Sequence, residues 1–409
     1  MDPLPEIEAL VAFEGRAPGS DAERRAAGHL ADRLEALGRT AEIEPIQVRP
    51  RYELVHLVHV AAAIVGSILL VSVPLVGTIL LLAAAVSLFL DLIGSLELVR
   101  RITPQRASQN VVSREDGDKP GTLVLVAHYD AGRTGAPFGP RMTELRARIG
   151  HRIRRPIGPF EPVLWSVLVL LVCGGLRLIG VHPTPVVVVQ FVATAILIAT
   201  VPLIADIAFS GTVAGANDNA SGVVTALRLA ERYGDDLDHF DLWVLLTGAG
   251  EGPLLGMRAW LRANRRSLNR RSTAFLCIDE VGAGTVRYVT KEGFAVAYPF
   301  HPALLDCCRQ IEDEDGENRR YGVRAIASHG ATDAFVARRA GFPAVSVTCR
   351  NALDYVPRHH LPGDVAENLD ADALDRAYRF CSELIELIDE QIGADLERED
   401  APGFVEQEE

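Results

Sequence analysis

The stretch TLVLVAHYD, residues 122–130, indicates how this 409-residue chain folds. Its first six residues are almost all apolar, which is typical of a short strand buried on both faces of a sheet. Its last three residues, His128-Tyr129-Asp130, are polar and begin where that strand ends. An imidazole there can bind a metal through one nitrogen while the carboxylate two residues later orients the other. We therefore expect chemistry at the end of a buried strand.

The sequence around this strand alternates between strand and helix patterns. Short apolar runs predict further strands at 110–112, 241–247, 273–278, 286–290 and 343–348. Apolar periodicity predicts helices at 220–233, 254–265, 333–340 and 371–391. The capping box Ser20-Asp21-Ala22-Glu23 opens another helix, which Gly38 ends. This alternation indicates an α/β domain whose sheet is covered on both faces.

Two long apolar segments interrupt this pattern. Asp91 is the only charged residue between Glu53 and Glu97, and Arg177 is the only one in the second segment, from 163 to about 205. At ~20 residues per span, these segments predict four transmembrane helices in two hairpins, at 55–73, 76–96, 163–181 and 185–206. Very apolar core hairpins of a soluble protein are the alternative. Asp91 and Arg177 lie near span ends, where we expect interfacial snorkelling.

The domain organisation follows from these segments. We expect one discontinuous soluble domain (1–52, 100–160 and 210–392), hairpins at 53–98 and 162–208, and an acidic disordered tail at 393–409. Arginines cluster beside the spans on the side of the soluble domain, at 49–51, 100–106 and 141–155. The positive-inside rule then predicts a multi-pass membrane protein with its soluble domain in the cytoplasm.

Composition excludes several classes of function. The net charge of −13 argues against nucleic acid as a main partner. The six cysteines form no CxxC pair, which argues against zinc ribbons and thioredoxin chemistry. The partner that the two apolar segments lead us to expect is a lipid bilayer.

Five residues from distant parts of the chain could bind metal. They lie at predicted strand ends, at a helix start or in a late loop: His128, Asp218, Glu251, Asp279 and His360. Two imidazoles and three carboxylates form the mixed set that zinc favours, and they suffice for two ions that share Asp218. Each residue alone has an ordinary structural explanation, such as a buried histidine, a helix cap or a turn acid. Their common position at strand ends is what favours a metal site.

These residues resemble the co-catalytic di-zinc aminopeptidase family, which includes bacterial leucine aminopeptidases and relatives such as glutamate carboxypeptidase. The family patterns AHxD, GxxDNxSG, EExGLxG and His-x-x-x-Asp correspond to residues 127–130, 215–222, 250–256 and 360–364. The resemblance covers about 1–52, 100–140 and 210–392. It implies a three-layer α/β/α sandwich with a mixed sheet, and hydrolysis of N-terminal peptide bonds by a water that bridges two Zn²⁺ or related ions.

The resemblance also implies residue roles. Asp218 would bridge the two ions, Asp130 would orient His128, and the four other ligands would each bind one ion. The family pattern has two adjacent glutamates, of which the first is the general base and the second is a ligand. Here Glu251 falls at the ligand position and Gly250 at the position of the base.

Other residues could take part in the reaction. Glu280, beside Asp279, is the nearest substitute base in sequence, although alternation along a strand points it away from Asp279. His359 occupies the place of a family tyrosine; it could bind metal, hydrogen-bond the reaction intermediate or be an exposed loop residue. His329 and Asp333 are further pocket candidates.

Two hypotheses remain open at this point. The first is a membrane-anchored zinc aminopeptidase. The second is a catalytically impaired metal-binding scaffold that binds a peptide or partner protein, because a general base is worth typically about 10²–10⁴-fold in rate. The second predicts that Gly250→Glu creates activity.

Overall fold

The computed structural model describes residues 1–115, 117–316 and 320–396. The predicted acidic tail at 393–409 therefore lies largely outside the described residues. Twelve α-helices occur within the described ranges: α1 (Pro3–Val11), α2 (Asp21–Ala36), α3 (Tyr52–Ser72), α4 (Pro74–Leu92), α5 (Pro140–Ile153), α6 (Glu161–Leu178), α7 (Thr184–Phe209), α8 (Ser221–Tyr233), α9 (Leu255–Asn264), α10 (Pro302–Asp315), α11 (Asp333–Arg339) and α12 (Ala371–Leu387).

The described residues also form nine strands in one mixed sheet. They are β1 (Glu42–Val48), β2 (Arg106–Ser113), β3 (Gly121–His128), β4 (Phe240–Thr247), β5 (Thr273–Ile278), β6 (Thr285–Glu292), β7 (Tyr298–Pro299), β8 (Arg324–Ala327) and β9 (Ala344–Arg350). The order is β1-β2-β4-β3-β5-β9-β6-β7, and β8 pairs with β6. The central strands β4, β3, β5 and β9 are parallel, so their carboxyl ends meet at one edge of the sheet.

Helices cover both faces of this sheet. Alternate residues of β3 enter different cores: Leu123 and Leu125 pack with α1, α2, α8, α10 and α12, whereas Val124 and Val126 pack with α9 and α11. This alternation is the side-chain period of a strand buried on both faces. The predicted three-layer α/β/α sandwich with a mixed sheet is confirmed.

The four apolar helices α3, α4, α6 and α7 pack together beside the sandwich around a separate core. Within the described residues, these four are long and apolar enough to cross a membrane. Their outer surface carries large exposed side chains; for example, Ile68 is 61% exposed, Val172 64% and Phe191 72%. A continuous apolar surface of this kind is unusual for a soluble monomer and is typical of lipid contact.

Asp91 differs from the sequence-based expectation, and Arg177 makes a polar contact that the sequence did not predict. Asp91 does not snorkel; it is 3% exposed and accepts two hydrogen bonds from the fully buried Arg100, at 3.0 and 2.7 Å. Arg177 donates to Gln190 of the neighbouring helix α7 at 2.8 Å. Both charged side chains therefore make specific polar contacts.

Candidate metal centre

The carboxyl edge of the parallel strands collects the five candidate ligands. His128 is the last residue of β3, Asp279 follows β5 directly, and Glu251 lies in the loop after β4. Asp218 lies in the turn before α8, and His360 lies in the loop after β9. Residues spread over more than 230 positions of sequence thus meet because parallel strands end at the same edge of the sheet.

The ligands form two groups that share Asp218. In the first, His128 Nε2 lies 3.3 Å from both Asp218 Oδ1 and Asp279 Oδ1. In the second, His360 Nε2 lies 3.1 Å from Glu251 Oε2 and 3.4 Å from Asp218 Oδ2. The two oxygens of Asp218 therefore face different groups, as a bridging carboxylate requires. The structure brings all five predicted ligands together.

The polar atoms of this cluster are arranged in a way that suits the binding of cations. Among the described residues, Asp218 Oδ2 and Asp279 Oδ1 are buried and accept no well-aligned hydrogen bond. His128, Asp218 and Glu251 each direct one donor atom into a space where these atoms lie within 4.8 Å of one another, and so do Asp218, His359 and His360. Buried acceptors without donors are costly, and a divalent ion would satisfy them.

Electrostatics supports the same conclusion. Burial opposes the charged form of His360, but Glu251 and Asp218 outweigh it and raise its pKa to about 9. Burial likewise opposes protonation of His128, yet Asp130, Asp218 and Asp279 hold its pKa well above the usual range. Without bound cations, the surrounding carboxylates favour the protonated form of both imidazoles. Metal ions would displace those protons.

Asp130 fixes the loop that carries Glu251 and lies beside His128. One carboxylate oxygen of Asp130 lies 3.6 Å from His128 Nδ1. The same carboxylate accepts hydrogen bonds from the backbone N–H of Gly250 at 2.7 Å and of Glu251 at 3.0 Å. From the other side, Glu23 accepts a hydrogen bond from the backbone N–H of Ala249 at 2.8 Å.

Gly250 is packed too closely to carry a side chain. A Cβ at this position would lie 2.5 Å from His128 Cβ and 2.7 Å from His128 Cγ. Gly250→Glu would therefore require His128 or the loop to move, so the gain of activity that the scaffold hypothesis predicts for this substitution depends on such a shift. The position that the family pattern assigns to the general base holds no carboxylate and leaves no space for one.

The segment 215–222 is fixed by its own amide and hydroxyl side chains. Asn219 donates to the carbonyl of Ile278 at 2.9 Å and accepts from the N–H of Glu280 at 2.9 Å. Asn217 Oδ1 accepts from Gly282 N at 2.7 Å. These contacts connect the turn of Asp218 to the chain around Asp279. Asp364 completes them by accepting from Asn217 N at 2.6 Å, which gives the late His-x-x-x-Asp pattern a structural role.

Glu280 faces the site, contrary to the argument from strand alternation. Its backbone lies in the left-handed region (φ 56°), so the strand pattern ends before it. Glu280 Oε1 lies 2.6 Å from His359 Nδ1, and Glu280 Oε2 accepts from Arg350 at 3.1 Å. His359 Nδ1 also lies 3.0 Å from Asp218 Oδ2. His359 is thus held beside the ligands, with 41% of its side chain exposed, and is not a detached loop residue.

The two further candidates also line the cleft. Asp333 is buried and accepts from Thr247 Oγ1 at 2.6 Å; burial raises its pKa to about 6. Burial, aided by Arg350, lowers the pKa of His329 to about 3, so His329 is neutral near pH 7. Sequence reasoning missed Phe138, whose ring centroid lies 4.4 Å from that of His360. An isolated aromatic residue carries no pattern that could have identified it.

The cluster lies in a cavity of about 640 Å³, within the range of small-molecule sites. All five candidate ligands line one part of this cavity: His128, Asp218, Glu251, Asp279 and His360. Other parts of its wall come from α5 and from the ends of α3, α4 and α6.

Comparisons with known proteins agree with this arrangement. Residues 200–385 match the family model of peptidase family M28. The match includes Asp218, Glu251, Asp279 and His360, while β3 adds His128 from outside it. No curated protein sequence matches the chain.

Solved structures of similar fold include zinc enzymes. A zinc aminopeptidase from Bacillus subtilis aligns with a TM-score of 0.54 at 11% identity, over 96% of this chain and 97% of that chain. A Zn-dependent exopeptidase from Parabacteroides distasonis aligns at 0.52 and 13%, over 94% and 96%. A glutaminyl cyclase from Porphyromonas gingivalis aligns at 0.53 and 14%, also over 94% and 96%. These likenesses confirm the fold.

Proposed function

We propose that this protein, whose residues 200–385 match the family model of peptidase family M28, is a membrane-anchored zinc peptidase that removes N-terminal residues from peptides. The observation that carries the proposal is the pair of ligand groups that share the two oxygens of Asp218. We assign one ion to His128, Asp218 and Asp279, and the other to His360, Asp218 and Glu251. When bound, two divalent ions supply Lewis acidity and a water of lowered pKa.

The other residues of the site orient these ligands. We assign to Asp130 the task of orienting His128, because its carboxylate lies 3.6 Å from Nδ1 and Nε2 faces the other ligands; its hydrogen bonds with the N–H groups of Gly250 and Glu251 fix the second ligand at the same time. Asp364 fixes the turn that presents Asp218. Such supporting contacts are worth typically about 10–100-fold in metal affinity or activity.

The Glu280–His359 pair takes the place of the absent glutamate base in this proposal. Geometry supports it: His359 lies in the cavity beside Asp218, and Glu280 lies within hydrogen-bond distance of its Nδ1. Arg350 holds the other oxygen of Glu280. The pair can accept a proton from the attacking water and release it to the departing amine, which is the task of a general base.

The first test uses the full-length protein reconstituted in nanodiscs with Zn²⁺ and a library of short peptides. We expect loss of one residue from the N-terminus, abolished by a chelator and restored by zinc. Glu280→Gln should lower kcat by about 10²-fold or more with unchanged metal content. Glu314→Gln, on the exposed side of α10, is the matched control and should leave kcat unchanged. A Glu280→Gln enzyme with wild-type kcat would exclude this residue as the base.

A non-catalytic scaffold is the second candidate, and the crowding at Gly250 is the observation that favours it. On this account the metals stabilise the fold and the cavity binds a peptide or partner without turnover. A zinc-loaded protein that binds peptides but hydrolyses none would support the scaffold. Turnover that depends on Glu251 would reject it.

Four helices that could cross a membrane and the arginines beside them support a multi-pass orientation with the peptidase domain in the cytoplasm. Cysteine substitutions labelled by an impermeant reagent test this. His182, in the turn between α6 and α7, should become labelled from outside the cell when replaced by Cys, and Arg24→Cys only after lysis. The reverse pattern would place the domain outside the cytoplasm.

A further inference from the structure

The cavity that contains the metal ligands continues to the ends of three apolar helices. Tyr52 and His56 of α3 line it, as do Leu88 and Leu92 of α4. The start of α6 adds a stretch from Phe160 to Leu164. A peptide bond placed at the ligands would therefore lie in the same cavity as side chains of the proposed membrane hairpins.

One buried ion pair holds the end of α4 close to the metal-binding loop. Arg100 pairs with Asp91 near the end of α4, at 2.7 Å. The same guanidinium donates to the carbonyl of Gly252, the residue after the ligand Glu251, at 3.4 Å. These contacts connect the end of α4, which lines the apolar part of the cavity, to the loop that carries the ligand Glu251.

Helix α5 forms a further part of the cavity wall and has the surface of a helix that lies on a bilayer. Pro140, Thr143, Glu144 and Arg146 face the cavity. Leu145, Ile149 and Ile153, spaced four residues apart, are 46–49% exposed. Exposed arginines flank this stripe at positions 141, 148 and 152. An apolar stripe with flanking arginines is typical of interfacial membrane helices, and α5 is followed after seven residues by α6.

We infer that the substrate is a peptide tethered to the same membrane by an apolar segment, with its scissile N-terminal bond at the metal ligands and its apolar segment against α4 and α6. This inference rests on the proposed function and names the substrate class of that site. A free polar peptide would leave the cavity-facing, partly exposed surfaces of Leu92 and Leu164 in contact with water, while their other sides pack against the core of the helix bundle. A tethered peptide covers them and can enter at the bilayer surface beside α5.

The kinetic test compares two forms of one leucyl peptide, free and carrying a palmitoyl chain at its carboxyl end, with full-length protein in nanodiscs of anionic lipid. Leu164→Trp narrows the apolar part of the cavity and should lower the ratio of palmitoylated to free kcat/KM about tenfold. Leu168→Trp, one turn later on the lipid-facing side (38% exposed), is the control and should keep the ratio within about twofold. Since partitioning into the bilayer is the same for both variants, an unchanged ratio in Leu164→Trp would overturn the inference.

A binding measurement decides the question without turnover. The probe is a palmitoylated peptide with a reduced N-terminal peptide bond and a photoreactive group on its acyl chain. We expect crosslinks at residues 88–92 and 160–164 of the wild-type protein. Crosslinks spread over the lipid-facing surface, at Leu82 and Leu168, would refute the inference. If the specific crosslinks form but no peptide is hydrolysed, the tethered peptide is a ligand of this cavity and only the peptidase proposal fails.

Discussion

The metal centre and the apolar helix bundle are held together by different kinds of contact. In the centre, specific side chains hold the backbone that carries the candidate ligands; the carboxylate of Asp130 alone accepts hydrogen bonds from the N–H groups of Gly250 and Glu251. In the bundle, helices approach through small residues, and a Cβ at Gly77 of α4 would lie 2.7 Å from the carbonyl of Gly66 in α3. The comparison shows that the centre depends on the identity of single side chains, whereas the bundle depends on composition and close packing.

The largest expected change in stability comes from the ion pair that connects the two regions. Arg100→Met leaves Asp91 buried without its partner, and this should reduce the free energy of unfolding by about 3–5 kcal/mol. Thermal unfolding in detergent measures the loss. The double variant Arg100→Met with Asp91→Leu should recover most of it, because no charge is then left buried. If the single variant is as stable as the wild type, the Arg100–Asp91 ion pair contributes little to the free energy of unfolding.

Two glycines test the contrast between the regions directly. Gly250→Ala should weaken zinc binding by about 10–100-fold, because its Cβ would displace His128. Gly175→Ala in α6 has no atom within 4 Å of its added Cβ, and it should stabilise the bundle by up to about 1 kcal/mol. Competition with a chromogenic chelator measures the first effect, and thermal unfolding the second. Equal zinc affinity in Gly250→Ala and wild type would show that the loop around residue 250 shifts to accommodate the added Cβ.

Acid should destabilise the sandwich through His301, remote from the ligands. Burial and Arg338 lower the pKa of His301 to about 4. The unfolded chain therefore binds more protons between pH 6.5 and about 4, so stability is retained above pH 6.5 and decreases as pH falls through this window. We expect a loss of about 2–3 kcal/mol from this group. His301→Phe, which cannot titrate, should flatten the dependence of the melting temperature on pH; an unchanged slope would assign the effect to other groups.

The smallest expected effect concerns a hydrogen bond within the bundle. His59 Nε2 lies 2.9 Å from Ser87 Oγ and connects α3 to α4. Interhelical hydrogen bonds of this kind are worth on average about 0.6 kcal/mol. Ser87→Ala should therefore lower the melting temperature only slightly, with zinc content unchanged. A loss as large as that of Arg100→Met would mean that the bundle, too, depends on single polar contacts.

Sequence reasoning predicted the central strands and the four apolar helices because their apolar patterns are long or continuous. The run 122–127 became β3, and the four predicted spans became α3, α4, α6 and α7 with shifted ends. Sequence reasoning missed the edge strand β1, whose Pro45 and exposed face resemble a loop. It also missed the helices α1, α5 and α10, whose surfaces mix apolar and polar side chains.

For the site, sequence patterns predicted the ligands but not their surroundings. His128, Asp218 and Asp279 follow strands or open a helix, so their position at the sheet edge could be inferred. The direction of the Glu280 side chain could not be inferred, because it depends on a left-handed backbone conformation that no local sequence pattern indicates. The crowding at Gly250 depends on His128, more than 120 residues away in the sequence, and only the folded chain reveals it.

Metal stoichiometry tests the central claim, two ions sharing Asp218, most directly. Full-length protein is loaded with zinc, freed of excess metal and measured by mass spectrometry of the metal and of the intact protein. We predict two zinc ions per chain in the wild type, one in Asp279→Ala, and essentially none retained in Asp218→Ala. Two ions retained after Asp218→Ala, or no zinc bound by the wild type, would contradict the account.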